Sequence, residues 1–186
     1  MPIISREPDL FPEELLAGFD RTESSERLWW VIHTRPRQEK CLARELHRRR
    51  IPFYLPQIAR RRRLADRTCT SYVPLFAGYL FLFGDQEERI ATLVTQRVVR
   101  TLEVQDQKGL WGDLRQIEQL IASGGSLTPE ARLAPGKMVE IRSGPLVGLR
   151  GTIVRGASGR RFVVQIDFIQ RGASVLVEDV LLVEAG

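Results

Sequence analysis

The sequence predicts an α+β protein: an antiparallel four-stranded sheet with flanking helices, linked to a small five-stranded β-barrel. Three observations lead there. Helix-period and strand-period segments are interleaved through residues 28–122. Residues 123–135 are small, polar and bounded by prolines, which reads as a linker. After Pro135 the apolar period becomes two and glycines interrupt it at short intervals. The expected division is an acidic, disordered leader at 1–27, a first domain at 28–122, the linker, and the barrel at 136–186.

The leader carries three basic and seven acidic side chains with Pro2, Pro8 and Pro12, and has weak periodicity. Residues 28–33 are aromatic and β-branched, which favours a strand. Thr34 suits an N-cap and Pro36 a first helical turn. A helix is expected over 37–50, with Leu42, Ala43 and Leu46 inward and arginines outward. Strands are expected at 53–58, 70–76, 78–83 and 98–104, and helices at 86–95 and 113–122. Arg60, Arg61, Arg62 and Arg63, with Asp66, form a basic hairpin tip. Trp30 is expected in the core. The later strands are expected at 138–142, 151–154, 161–168, 174–177 and 180–183, with Arg171-Gly172 as a tight turn.

Composition bounds the function. The 186 residues carry a net charge of +5, but residues 28–135 hold eighteen basic and eleven acidic side chains. A basic body of this kind suits a polyanionic partner, usually nucleic acid. No apolar run nears the roughly 20 residues of a membrane helix, and no secretory signal is visible. Two cysteines and two histidines make neither a disulfide framework nor a metal set. These features place the protein in a reducing cytoplasm, without cofactor or metal. No base–nucleophile pair or phosphate loop is evident, so an enzyme is not expected.

Two stretches carry a family resemblance. Trp29 to Thr34, Pro36, Gln38-Glu39 and Pro74-Leu75-Phe76-Ala77-Gly78-Tyr79-Leu80-Phe81 resemble the amino-terminal domain of the NusG family. Pro135-Gly136, Val139-Glu140-Ile141 and Ser143 through Gly151 resemble the KOW motif that opens the SH3-like barrel of the same family, and the Pro-Leu-Phe-x-x-Tyr-Leu-Phe form leans toward the RfaH-like branch. The resemblance implies a monomeric transcription elongation and antitermination factor that grips the clamp helices of RNA polymerase. The matching positions are His33, Tyr54, Phe76, Tyr79 and Phe81, with Thr92 on the helix that meets the polymerase across the cleft. It further implies that Arg35, Arg37, Arg48, Arg49, Arg60, Arg61, Arg62, Arg63 and Arg97 lie near upstream or non-template DNA. Gly144, Pro145, Leu146, Gly148 and Gly151 match the surface that meets termination factor Rho or a ribosomal small-subunit protein. Both faces of strand 79–83 are apolar, so one needs a lid or a partner. An RNA-binding or ribosome-associated module, stacking bases on that aromatic strand, is the alternative.

Overall fold

The computed structural model describes residues 8–18, 26–64, 67–130, 136–156, 159–177 and 182–184. The chain divides into two units, Met1–Gln107 and Lys108–Gly186.

In the first unit the aromatic run forms strand β2 (Leu28–Thr34), and α1 (Glu39–Arg48) follows a turn. Thr34 does not cap the helix: the N-cap is Gln38, without a side-chain cap bond, and Arg37 sits at φ 62° in that turn rather than on the helix. Next come β3 (Phe53–Tyr54), β4 (Gln57–Leu64), β5 (Arg67–Pro74), β6 (Tyr79–Gly84), α2 (Gln86–Val94) and β7 (Val98–Glu103). Asp85 begins α2 with a reciprocal capping box to Glu88. The main antiparallel sheet has five strands in the order β1-β3-β6-β2-β7, where β1 is Leu10–Phe11. The strand expected at 70–76, observed as β5, is not in it. β5 pairs with β4 in a separate two-stranded ribbon, and the arginines expected at the tip run along its arm.

The leader contributes β1, so it is not wholly without structure. Leu10 and Phe11 pair with Tyr54 and Phe53, the Leu55 amide donates to the Asp9 carbonyl at 2.6 Å, and Leu16 is buried. The sheet face under α1 buries Ile32, Phe53, Leu55, Leu80 and Leu82 against Leu42, Ala43 and Leu46, as the helical period predicts. Trp29, rather than Trp30, is the buried tryptophan. Trp30 is half-buried, donates from Nε1 to the Gly84 carbonyl and lies under the Arg89 guanidinium.

α3 (Gln107–Ala122) begins six residues earlier than the sequence suggests. Buried Gln107 explains this. Its amide accepts from the Trp29 amide and donates to the Trp29 and Val104 carbonyls, so the polar side chain is satisfied where the helix starts.

The second unit holds a six-stranded antiparallel sheet, β13-β9-β10-β11-β12-β8. The strands are β8 (Thr128–Glu130), β9 (Lys137–Ile141), β10 (Arg150–Gly156), β11 (Gly159–Ile166), β12 (Arg171–Leu176) and β13 (Leu182–Glu184). Five were expected; the sixth, β8, comes from the segment read as linker. It orders through polar rather than apolar contacts. Buried Ser174 donates to Glu130, accepts from Arg161 Nε at 2.8 Å, and Arg161 pairs with Glu130. Residues 131–135 of that segment, and Asp66, lie outside the described residues. Arg171-Gly172 is not a turn. It belongs to β12, and the reversal is a short 3-10 turn over Asp167–Ile169 closed by Gln170 at φ 52°.

Candidate functional site

His33, Tyr79 and Phe81 share one sheet face by alternation and register: His33 pairs with Tyr79, and Val31 with Phe81. Their exposures differ. The His33 and Tyr79 rings are half-buried and stacked, with centroids 5.3 Å apart and an interplanar angle of 29°. Phe81 is completely buried, and Tyr54 and Phe76 are each 2% exposed. The expected row of contact rings therefore narrows to two at the end of the sheet. The reason is the position of Phe81 mid-strand in a central strand, where both faces are covered; strand alternation reports the face, not what lies over it.

The turn beside this pair is fixed from below. The Gly78 amide donates to the Glu39 carboxylate at 2.7 Å, and the Thr34 amide to the Gly78 carbonyl. Gly78 lies at φ 84°, in the left-handed region that favours glycine. Glu39, 6% exposed, thus ties the start of α1 to the start of β6.

On α2 the expected contact residue Thr92 is fully buried, its hydroxyl donating to the Glu88 carbonyl. The outer surface there is apolar instead. Ile90, Leu93 and Val94, at helical spacing, are 48%, 37% and 67% exposed, and Val99 on β7 is 56% exposed. Sequence reasoning missed these residues. The signal was available, since the helix has apolar residues on more than one face and only one can be core.

The arginines fall into three groups. Arg35 and Arg97 line an open cavity of about 440 Å³ with Pro36, Gln38, Thr95 and Gln96. Two bonds shape it: the Arg35 amide donates to the Arg97 carbonyl at 2.8 Å, and Arg97 Nη1 donates to Gln38 Oε1. Gln96 at φ 58° and Arg37 at φ 62° turn the two segments sharply. Arg48 and Arg49 are held by Glu45 at 2.5 and 2.7 Å. Arg49, then Arg48, hold the Glu45 carboxyl below the usual carboxylate range. With its folded value depressed, whatever stability Glu45 lends is present at neutral pH and lost as pH falls through that value. Arg60, Arg61 and Arg63 are exposed on the β4–β5 ribbon; Arg62 shares its backbone register, and its side chain lies outside the described part.

In the second unit, residues 143–148 form the glycine-rich turn between β9 and β10. Gly144 and Gly148 have φ of 83° and 85°. The Gly148 amide donates to the Ile141 carbonyl and the Ile141 amide to the Leu149 carbonyl, closing the loop. Pro145 is exposed and Leu146 half-buried, while Val147 is 60% exposed. Gly151 is not on the surface. A Cβ there would lie 2.3 Å from the Val163 carbonyl oxygen and 3.0 Å from the Phe162 ring. Phe168, 40% exposed on the 3-10 turn, was not singled out by sequence. Within this unit Gln116 Oε1 of α3 accepts from the Arg150 amide at 2.8 Å.

Residues 27–117, almost half of the chain, match the family model described as transcription termination factor nusG. The chain carries a NusG-family domain. The family is one of transcription factors, and its members bind RNA polymerase. The match covers β2 through most of α3, so it includes the His33–Tyr79 pair, the α2 surface and the arginine ribbon, and ends before the second sheet. No curated protein gives a match. Among the described residues no helix is long and apolar enough to cross a membrane, and no group of three or more His, Cys, Asp or Glu side chains is placed to hold a metal ion.

Proposed function

We propose that this protein is a transcription elongation and antitermination factor that grips the clamp helices of RNA polymerase through the His33–Tyr79 end of its main sheet. The observation that carries the reading is the stacked, half-buried pair itself, set on a rigid turn at positions that match the family's polymerase contact. A partner helix laid on two fixed rings gains apolar burial without ordering loose side chains. The exposed apolar face of Ile90, Leu93 and Val94, with Val99, supplies a second contact across the polymerase cleft in place of buried Thr92. Bridging both sides favours the closed, elongating state by binding it better, which reduces pausing and termination.

The cavity of Arg35 and Arg97 and the arginine ribbon lie on the nucleic-acid side of this arrangement, near upstream or non-template DNA. The second unit acts as the KOW barrel. Its turn with Gly144, Pro145, Leu146, Val147 and Gly148, and the Phe168 ring, recruit a further factor, Rho or a ribosomal small-subunit protein, at high effective concentration. Base stacking on β6 is less favoured, because that mode needs an exposed ring in the middle of the strand and Phe81 is buried.

The test replaces both rings. His33→Ala with Tyr79→Ala in the full chain should weaken copurification with core RNA polymerase by about tenfold or more, since each aromatic buried against a partner contributes roughly 1.5–3 kcal/mol. Wild-type affinity in a variant that keeps its melting temperature would end the assignment.

Glu45 sets a second expectation. Glu45→Gln releases Arg48 and Arg49 from their ion pairs. Affinity for DNA at low salt should rise by about twofold to fivefold, the worth of an exposed ion pair. Anisotropy titrations at two salt concentrations check this; an unchanged affinity would show that these arginines do not face nucleic acid.

A further inference from the structure

The stacked His33–Tyr79 pair has a third neighbour. The register of β2 sets His33 opposite Tyr79 on β6 and opposite Arg100 on β7. Residues paired directly across antiparallel strands point to the same face, so Tyr79, His33 and Arg100 form one row across three strands. Arg100 is exposed, and among the described residues no ion pair takes it up. The row runs from a phenol ring through an imidazole to a guanidinium.

The imidazole is oriented within this row. Its Nδ1 is buried and has no hydrogen-bond partner among the described residues, whereas Nε2 is not sealed in this way. The Cδ2–Nε2 edge lies beside Gly78, where an added Cβ would sit 3.6 Å from both atoms. Glycine thus keeps that edge clear, and a longer side chain would cover it. A neutral imidazole carries one N–H and one acceptor nitrogen. A buried N–H without an acceptor is rarer than a buried acceptor without a donor, so the proton belongs on Nε2. The open edge is then a donor, and the Arg100 guanidinium beside it only donates. Two adjacent donors, one of them cationic, suit a carboxylate, because charge-assisted hydrogen bonds are about twice as strong as neutral ones. Neighbouring strands lie about 4.8 Å apart. That is close to the roughly 5–6 Å between side chains three or four positions apart on a helix. One helix crossing the strands can therefore set an apolar residue over Tyr79 and an acidic one over His33 and Arg100.

We infer that His33 and Arg100 determine the specificity of the docking contact: the Nε2–H of His33 and the Arg100 guanidinium together hold a carboxylate of the partner helix, one turn from the apolar residue that Tyr79 receives. The inference rests on the polymerase reading proposed above and names the chemistry that the partner presents at that site.

The experiment uses the full chain, core RNA polymerase and two single variants. His33→Phe keeps a flat ring of similar size and removes the N–H. Arg100→Gln removes the charge at an exposed position, which should leave the fold intact. Each should lower affinity for the polymerase by about tenfold or more, the worth of a hydrogen bond to a charged group. Rising salt should weaken the parent chain's binding more than that of Arg100→Gln, since the ion pair is at the surface and screened. Nitrogen-15 spectra of the histidines in the unbound protein should show His33 as the Nε2–H tautomer. Parent affinity in a folded His33→Phe or in Arg100→Gln overturns the inference, and so does the Nδ1–H tautomer. The double change of His33 and Tyr79 to alanine keeps the two readings apart. Weak binding there with parent affinity in His33→Phe and Arg100→Gln leaves the polymerase reading standing and removes this one; unchanged binding there removes both.

Discussion

Phe81→Ala should destabilise the first unit by about 3–5 kcal/mol, the range for removing a fully buried phenylalanine. Phe81 sits in the middle of β6, paired with Val31 on one side and Tyr54 on the other, and shows no solvent-accessible surface. Its loss leaves a cavity on the buried face of the sheet, beside Val31 and Tyr54, that cannot close without moving what packs there. Urea denaturation, followed by amide exchange in β2 and β6, should show a lower midpoint and early loss of protection in both strands. Tyr79→Ala, at a half-exposed position of the same face, should cost much less. The two substitutions thus separate. On the proposed assignment, Phe81 variants should lose polymerase binding through unfolding, and Tyr79 variants should lose it while folded. A stable Phe81→Ala protein would mean that this ring is not sealed in the core.

Gly151→Ala should disrupt the second sheet by about 3 kcal/mol or more, at or beyond the upper end of ordinary overpacking. The added methyl would sit 2.3 Å from a backbone oxygen, that of Val163 on the neighbouring strand, with the Phe162 ring at 3.0 Å. A flexible side chain could yield, but a carbonyl held in a strand yields only if β11 moves with it. Phe162 is fully buried, so the ring has nowhere to turn. Protection of the Val163 and Val164 amides should fall while that of β2 and β6 is kept. Gly148→Ala makes an informative contrast: a Cβ there meets nothing within 4 Å, and its cost comes from φ of 85° alone. Similar stability of Gly151→Ala and the parent chain would show that β10 and β11 are less closely apposed than described.

The sequence made the apolar architecture legible where one residue type has one physical role. Leu42, Ala43 and Leu46 were recognisable as the inner stripe of α1 from spacing alone, and they are buried. The central strands around Trp29 and Leu80 were legible from β-branched and aromatic content. What escaped was decided by contacts distant in sequence. β8 orders because Glu130 meets Ser174 and Arg161, more than thirty residues away, and no local pattern signals that. α3 starts at Gln107 because its amide fits the backbone of Trp29. For the candidate site, the face of the key rings was readable from alternation, but their depth was not. His33 and Tyr79 remain accessible at the end of the strand, whereas Phe81, Tyr54 and Phe76 do not. Likewise the family resemblance points to Thr92, which is buried, while its neighbours Leu93 and Val94 face outward.

The short pairing of Leu10 and Phe11 with Tyr54 and Phe53 bears on how the protein can be cut. The NusG-family match begins at residue 27, after this segment. A fragment started there would keep its central strands but leave the backbone of Phe53 and Tyr54 as a bare sheet margin, with unpaired amides and carbonyls ready to recruit a strand from a second molecule. A chain started at residue 27 should therefore self-associate more readily than the full chain, and sedimentation at rising concentration checks this.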